Sequence, residues 1–181
     1  MKDGRLATLA VVAEVVRRGQ ERMDRVGHTL IQKLVYLLQA ALGVKLGYAF
    51  KMHMHGPYSP DLWGDLTLLR DYDALKIDAD PSGYGYRITV GPALSSVCAY
   101  QEQRLDAVRP QIDKLLELLG GAPVRQLEIL ATAHLVSASL KRIGRPADPE
   151  TVAKSVRALK PHLTANEVAD GYRELANAGL A

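Results

Sequence analysis

Apolar residues at Leu6, Leu9, Val12, Ala13 and Val16 recur at helical spacing, so the chain opens with an amphipathic helix whose end is expected near Arg17-Arg18-Gly19. Residues 19–28 are polar and glycine-marked and predict a loop. Thr29 is placed to cap a second helix reaching Leu42, in which Leu30, Ile31, Leu34, Val35, Leu37, Leu38, Ala41 and Leu42 cover more than half the circumference. A helix of that kind is buried on several sides. From Phe50 the period changes to two. Phe50, Met52 and Met54 fall on one side of a strand and Lys51, His53 and His55 on the other. Gly56-Pro57 stops that strand. Ser59 then serves as N-cap, Pro60 suits the first helical turn, and Asp61 sits against the positive helix end. The third helix runs to about Tyr72 with Leu62, Leu66 and Leu69 as its stripe.

Leu75-Lys76-Ile77 and Tyr84 to Val90 have strand character and are joined by Asp80-Pro81-Ser82-Gly83, which is turn chemistry. They predict a β-hairpin with Tyr84, Tyr86 and Arg87 at or near its tip. Two helices, a short strand, a helix and a hairpin make the order of a winged-helix domain. After Gly91-Pro92 the pattern is wholly helical. One helix spans about Ser95 to Leu119 with Pro110 as a kink, and one spans Pro123 to about Ile143 with His134 on its inward stripe. Asp148-Pro149 opens another, and Thr164 with Glu167 forms a capping box for the last. The expected fold is mainly α with a small β component: a winged-helix-like domain over residues 1–91, then a helical bundle over 92–181. The long helix after the boundary can also pack onto the first half and make one unit.

Composition narrows the class. A chain of 181 residues that is 48% hydrophobic is ample for a buried core. The uncharged apolar runs 34–44 and 129–140 are each short of the ~20 residues a bilayer requires. The first residues, with Asp3 and Glu14, suit an amphipathic helix better than a signal peptide, so a soluble cytoplasmic protein with no membrane partner is expected. A single cysteine, Cys98, excludes an intrachain disulfide and a Cys-based zinc cluster. The net charge of +3 is unevenly spread. Residues 26–60 hold Lys33, Lys45 and Lys51 and no acid, whereas 61–80 hold Arg70 and Lys76 against six aspartates. No block is basic enough to require nucleic acid.

Lys33, Leu34, Tyr36 and Leu37 in the second helix, then Tyr48, Phe50, Gly56, Pro57, Tyr58, Ser59 and Leu62, form a "KL-x-YL" helix followed by a "Y-x-F…GP" corner and a helix. In this pattern the chain resembles small bacterial proteins typified by YwgA and, more distantly, the Panacea domain of SocA-type antitoxins. The likeness covers about residues 28–90 and extends more weakly through Leu127 and the segment 159–164. The Panacea resemblance implies a winged-helix-like module that binds and neutralises toxin proteins, sometimes beside DNA-binding parts. The YwgA resemblance implies no settled activity, and neither supplies catalytic residues.

The candidate chemistry is thin. His53 and His55, with Lys51, line one side of the strand, and Asp61 is a candidate third ligand, but two strand histidines and a carboxylate are a weak metal pattern. No metal or cofactor is assigned, and a metal-dependent hydrolase is a distant third reading. Tyr58 and Trp63 either form a peptide-binding surface or fill the junction between strand and helices. A nucleophilic Ser59 lacks a glycine elbow and a base, so it reads as an N-cap. His134 reads as a hydrogen-bonded core histidine. DNA binding through the third helix meets Asp61, Asp65 and Asp71 against Arg70 alone, a face that repels phosphate. The chain therefore reads as a non-enzymatic adaptor or regulator binding a protein, a toxin being one such partner, through His53, His55, Tyr58, Asp61, Trp63 and Asp65. The alternative is a winged-helix transcriptional regulator that contacts DNA with Lys51, Arg70, Lys76 and Arg87, as a homodimer through the C-terminal helices.

Overall fold

The structure, a computed structural model, describes residues 2–81, 83, 85–119 and 121–181, with side chains from Gly4 onward. Ser82 and Tyr84 of the expected hairpin turn lie outside the described residues. The N-terminal half comprises α1 (Lys2–Arg22), α2 (His28–Ala40), β1 (Lys51–His53), β2 (Gly56–Tyr58), α3 (Pro60–Asp71), β3 (Leu75–Ala79) and β4 (Tyr86–Val90). The rest is helical: α4 (Leu94–Ala99), α5 (Glu102–Leu119), α6 (Val124–Arg142), α7 (Pro149–Leu159) and α8 (Ala165–Asn177). The protein is mainly α with two small antiparallel sheets, β1–β2 and β3–β4. Val26 and Gly27, between α1 and α2, pair with β4: Ile88 N donates to Val26 O, and Gly27 bridges Arg87. That short segment occupies the place of the first strand of a winged helix, and β3–β4 is the wing.

Four local expectations are corrected. First, α1 does not end at Gly19 but continues to Arg22. Gly19 is buried, and a Cβ there would lie 3.2 Å from Val26 Cγ2, so its small size admits the following segment and is no helix stop. Second, residues 50–55 are not one strand. The chain reverses over Met54-His55 and pairs Lys51 with Tyr58, Met52 with Pro57 and His53 with Gly56. Third, α2 begins at His28 with Gly27 as N-cap, so Thr29 does not cap it. The helix expected over 95–119 is also interrupted between Ala99 and Glu102. Asp148 accepts from Thr151 N as expected, and Thr164 and Glu167 complete their capping box.

α2 and α6 are the axial elements. Their buried positions extend around most of the circumference, which is why neither shows the narrow stripe of a surface helix. α2 packs on α6 and α5, α1 packs on α5, and α6 also meets β2, α7 and α8. Buried side chains from Leu9 to Leu180 belong to one core among the described residues. Tyr36 of α2 and His134 of α6 cross it with a 2.7 Å hydrogen bond between the phenol and Nδ1. His134 is thus the hydrogen-bonded core histidine that its place on an apolar stripe predicts.

The α1–α5 contact is built on a buried carboxylate. Glu14 is fully enclosed and accepts from Arg17, Arg18 and Arg109 at 2.6–2.9 Å. Burial alone would raise its pKa, but hydrogen bonds from the three guanidiniums prevail and hold it at about 2. The folded value lies below the unfolded one, so this contribution is present above about pH 4.5 and is lost as pH falls toward 2. Glu14→Gln is expected to destabilise the fold by about 3 kcal/mol, because it leaves three guanidiniums without their shared charge. A urea unfolding midpoint at neutral pH checks this, and a loss below about 0.5 kcal/mol would contradict it.

Candidate functional site

The residues of the sequence pattern meet at the β1–β2 hairpin, where their role is to hold backbone. Gln32 grips Ser59 with both ends of its amide: Ser59 N donates to Oε1 at 2.9 Å and Nε2 donates to Ser59 O at 3.0 Å. Gln39, two turns later, grips Tyr48 in the same way, at 2.9 and 2.8 Å. Between them Lys33 donates to Pro57 O at 2.9 Å. Ser59 is the N-cap residue of α3, as expected, but its hydroxyl makes no capping bond. Its backbone is held by Gln32 instead.

Beneath the hairpin lies a group of charges that sequence reading did not assemble. Lys33, Glu128 and Lys160 are 2%, 6% and 6% exposed, so all three charges are taken out of bulk water. Lys160 Nζ donates to the carbonyls of His53 and Met54 and lies 3.7 Å from Glu128 Oε1. His162 Nε2 is 3.3 Å from Glu128 Oε1, and His55 Nδ1 is 3.7 Å from Glu128 Oε2. Glu128 on α6 thus joins the hairpin to the segment after α7. Burial lowers the Lys33 ammonium to about 8, against the attraction of Glu128 and with some repulsion from Lys160. Glu128 sits beside Leu127 on the inward arc of α6, and Lys33 sits inside the most apolar helix. A charge on a buried arc was the available signal for both.

Above the hairpin five rings form a continuous ladder. His53 and Tyr58 have centroids 5.1 Å apart, Tyr58 and His28 5.7 Å, His28 and Trp63 4.5 Å, and Trp63 and Tyr86 5.3 Å. The ladder runs from the hairpin over the start of α2 and across α3 to the wing. Tyr58, His28 and Trp63 are half-buried, while His53 and Tyr86 are exposed. Burial, then repulsion by Lys33, lowers the His28 pKa to about 4, so this ring is neutral near pH 7. Tyr58 and Trp63 fill the junction between the hairpin, α2 and α3, and each leaves part of its ring exposed.

The six expected partner-binding residues do not form one site. His53, Tyr58 and Trp63 share the ladder, and His55 turns toward Glu128. Asp61 faces a separate groove of about 740 Å³ beside α1, together with Arg5 and Asp71. Asp65 is corrected from a contact residue to a buried one: it is 7% exposed and accepts from Arg5 at 2.8 Å and from the Tyr48 hydroxyl at 2.9 Å. The expected nucleic-acid contacts lie on four elements. Lys51 and Lys76 are exposed on β1 and β3, Arg70 pairs with Asp71, and Arg87 lies 3.9 Å from Asp80. Among the described residues no three His, Cys, Asp or Glu side chains are grouped to hold a metal ion, and no helix is long and apolar enough to cross a membrane.

Gly56 closes the hairpin at φ +89°, and a Cβ there would lie 2.6 Å from Thr132 Oγ1. Gly56→Ala is expected to destabilise the fold by about 2–4 kcal/mol through backbone strain and overpacking. Adding Thr132→Ala should recover only the overpacking share in urea unfolding. His28 and His134 give a second test, since burial also holds His134 at about 4. The unfolded chain protonates both near pH 6.5, so stability is level above that value and falls as pH drops toward 4. The loss at pH 5 is on the order of 2 kcal/mol for His134 and smaller for His28. His134→Gln should flatten most of this slope, and an unchanged slope would contradict the assignment. No protein-family model matches the chain, and no curated protein matches it.

Proposed function

We propose that the chain is a non-enzymatic adaptor or regulator that binds another protein through the ring ladder, in an antitoxin or defence setting. The half-exposed ladder carries this reading. Rigid aromatic edges held by packing lose little entropy on docking and are the side chains on which protein interfaces concentrate their binding energy. His53, Tyr58, His28, Trp63 and Tyr86 come from five elements, so the surface exists only in the folded chain and is fixed by it. The resemblance to the Panacea domain points to the same class of activity. Reading of duplex DNA is less favoured. Asp61 and Asp71 stand exposed on α3, and Arg70 is engaged by Asp71. A phosphate backbone would meet a helix of the wrong sign.

The test is capture of the tagged chain from its host, wild type against His53→Ala/Tyr86→Ala. Both positions are exposed, so the double variant keeps its thermal transition. A stoichiometric protein partner is expected with the wild type, its affinity weakened at least about tenfold by the double variant. Equal capture by both proteins, or no partner at all, rejects the reading. Salt-sensitive retardation of duplex DNA would favour the transcriptional regulator instead.

A further inference from the structure

The wing has one strand edge that is served and one that is open. Gly91 N donates to Ala74 O and Asp80 N donates to Gly85 O, which fixes the phase of the β3–β4 ladder. In that phase the N–H and C=O groups of Leu75, Ile77 and Ala79 point away from β4, and those of Tyr86, Ile88 and Val90 point away from β3. On the β4 side they are met: Ile88 N donates to Val26 O and Val90 N to Gln20 Oε1. On the β3 side nothing among the described residues meets them. Leu75 is enclosed, so the open length runs from Lys76 to Ala79, in which Ile77 is half-buried at the rim of the core and the others are exposed. An open strand edge is a template for another strand.

The side chains restrict which strand fits. Lys76 and Asp78 share the face of β3 opposite to Ile77. Arg87 stands across from Asp78 in the ladder but lies 3.9 Å from Asp80. Neither Lys76 nor Asp78 has an ion pair or hydrogen bond among the described residues. A second β3 laid antiparallel along this edge pairs outward backbone groups with outward groups, so its register shifts in steps of two residues. With Ile77 opposite its own copy, Lys76 falls opposite Asp78 twice, in the closer kind of antiparallel pair. One step to either side sets Lys76 against Lys76 or Asp78 against Asp78, which repel. The second of these also brings Asp80 opposite Lys76, but Asp80 is buried beside Arg25 and offers no compensation. The sequence of this edge is therefore complementary to itself in one register.

We propose that the open edge of the wing takes the same edge of a second copy of this chain. The two β3 strands pair antiparallel about a two-fold axis at Ile77 and join the wings into one four-stranded sheet. The contact is isologous, each Lys76 meeting the other copy's Asp78. It also covers each half-buried Ile77 with its counterpart. This dimer uses the wing and leaves the C-terminal helices free. Its axis is perpendicular to the sheet, and Tyr86 reaches Trp63 of α3 from the same sheet face as Ile77 and Ile88. The two ring ladders therefore stand on one side of the joined sheet. The pairing does not rest on the protein-binding reading above.

The open length is short, so the contact belongs to the small, transient class and is read at high concentration. The experiment is analytical sedimentation of the full chain from about 10 µM to about 1 mM, for wild type, Lys76→Glu, Asp78→Lys and the two combined. Both positions are exposed, so every variant keeps the wild-type thermal transition. Wild type is expected to dimerise as concentration rises, with growing protection of the Ile77 amide from hydrogen exchange. Each single variant should weaken the dimer at least about tenfold, and the combined variant, with the charges exchanged, should restore it. A mixture of the two single variants should dimerise where neither does alone, because each supplies the sign of charge the other lacks. A chain that stays monomeric up to about 1 mM overturns the proposal. So does a dimer that neither single variant weakens, or one that the combined variant and the mixture fail to restore. If the isolated chain stays monomeric and a partner captured from the host is lost with Lys76→Glu, the edge takes another protein's strand and the second copy is rejected.

Discussion

The fold depends on one helix supplying hydrogen bonds to a segment that has few of its own. Residues 44–59 run from α2 to α3 with only a three-residue ladder between β1 and β2, one partner of which is a proline. Buried backbone without partners would cost more than this short hairpin returns. Gln32, Lys33 and Gln39 supply the missing bonds at Ser59, Pro57 and Tyr48. α2 can offer these side chains because it is anchored on every side, by the apolar positions that pack on α1, α5 and α6.

The charges beneath the hairpin extend the same constraint to the C-terminal half. Two buried ammoniums face one buried carboxylate, and each ammonium also has a carbonyl acceptor. Such a set stabilises a fold weakly compared with apolar packing, because desolvation offsets most of the attraction. Its effect is on arrangement: the hairpin can dock only where Glu128 and Lys160 meet it. That docking also sets the height of His53 and Tyr58, and hence the line of rings that continues through His28 and Trp63 to Tyr86. The binding surface proposed here is thus a consequence of a buried polar lock in a layer below it.

A large share of the architecture was legible in the chain because it follows from local spacing. The apolar circumference of α2, the start of α3 at Ser59-Pro60-Asp61, the wing on either side of Asp80-Pro81 and the capping box at Thr164 each depend on residues within one or two turns of one another. The misreadings share a cause. Gly19 has the local character of a helix stop, and only the approach of Val26 makes it an interior residue. Residues 50–55 alternate as one strand should, yet the attachment of His53 and Met54 carbonyls to Lys160, more than a hundred residues away, fixes a reversal at Met54-His55.

For the site the division is sharper. Sequence alone determined that a helix starts at Ser59-Pro60-Asp61, that Tyr58 and Trp63 stand at its beginning, and that it carries aspartates, since composition and periodicity suffice for each. Only the tertiary structure decided that Asp65 is spent on Arg5 and Tyr48, that His28 and Tyr86 complete the ladder, and that Glu128 and Lys160 stand under the hairpin. The reason is physical. Which face of an element is buried is written in its own periodicity, whereas which charges share a carboxylate depends on contacts between segments far apart in the chain, and no local pattern encodes those distances.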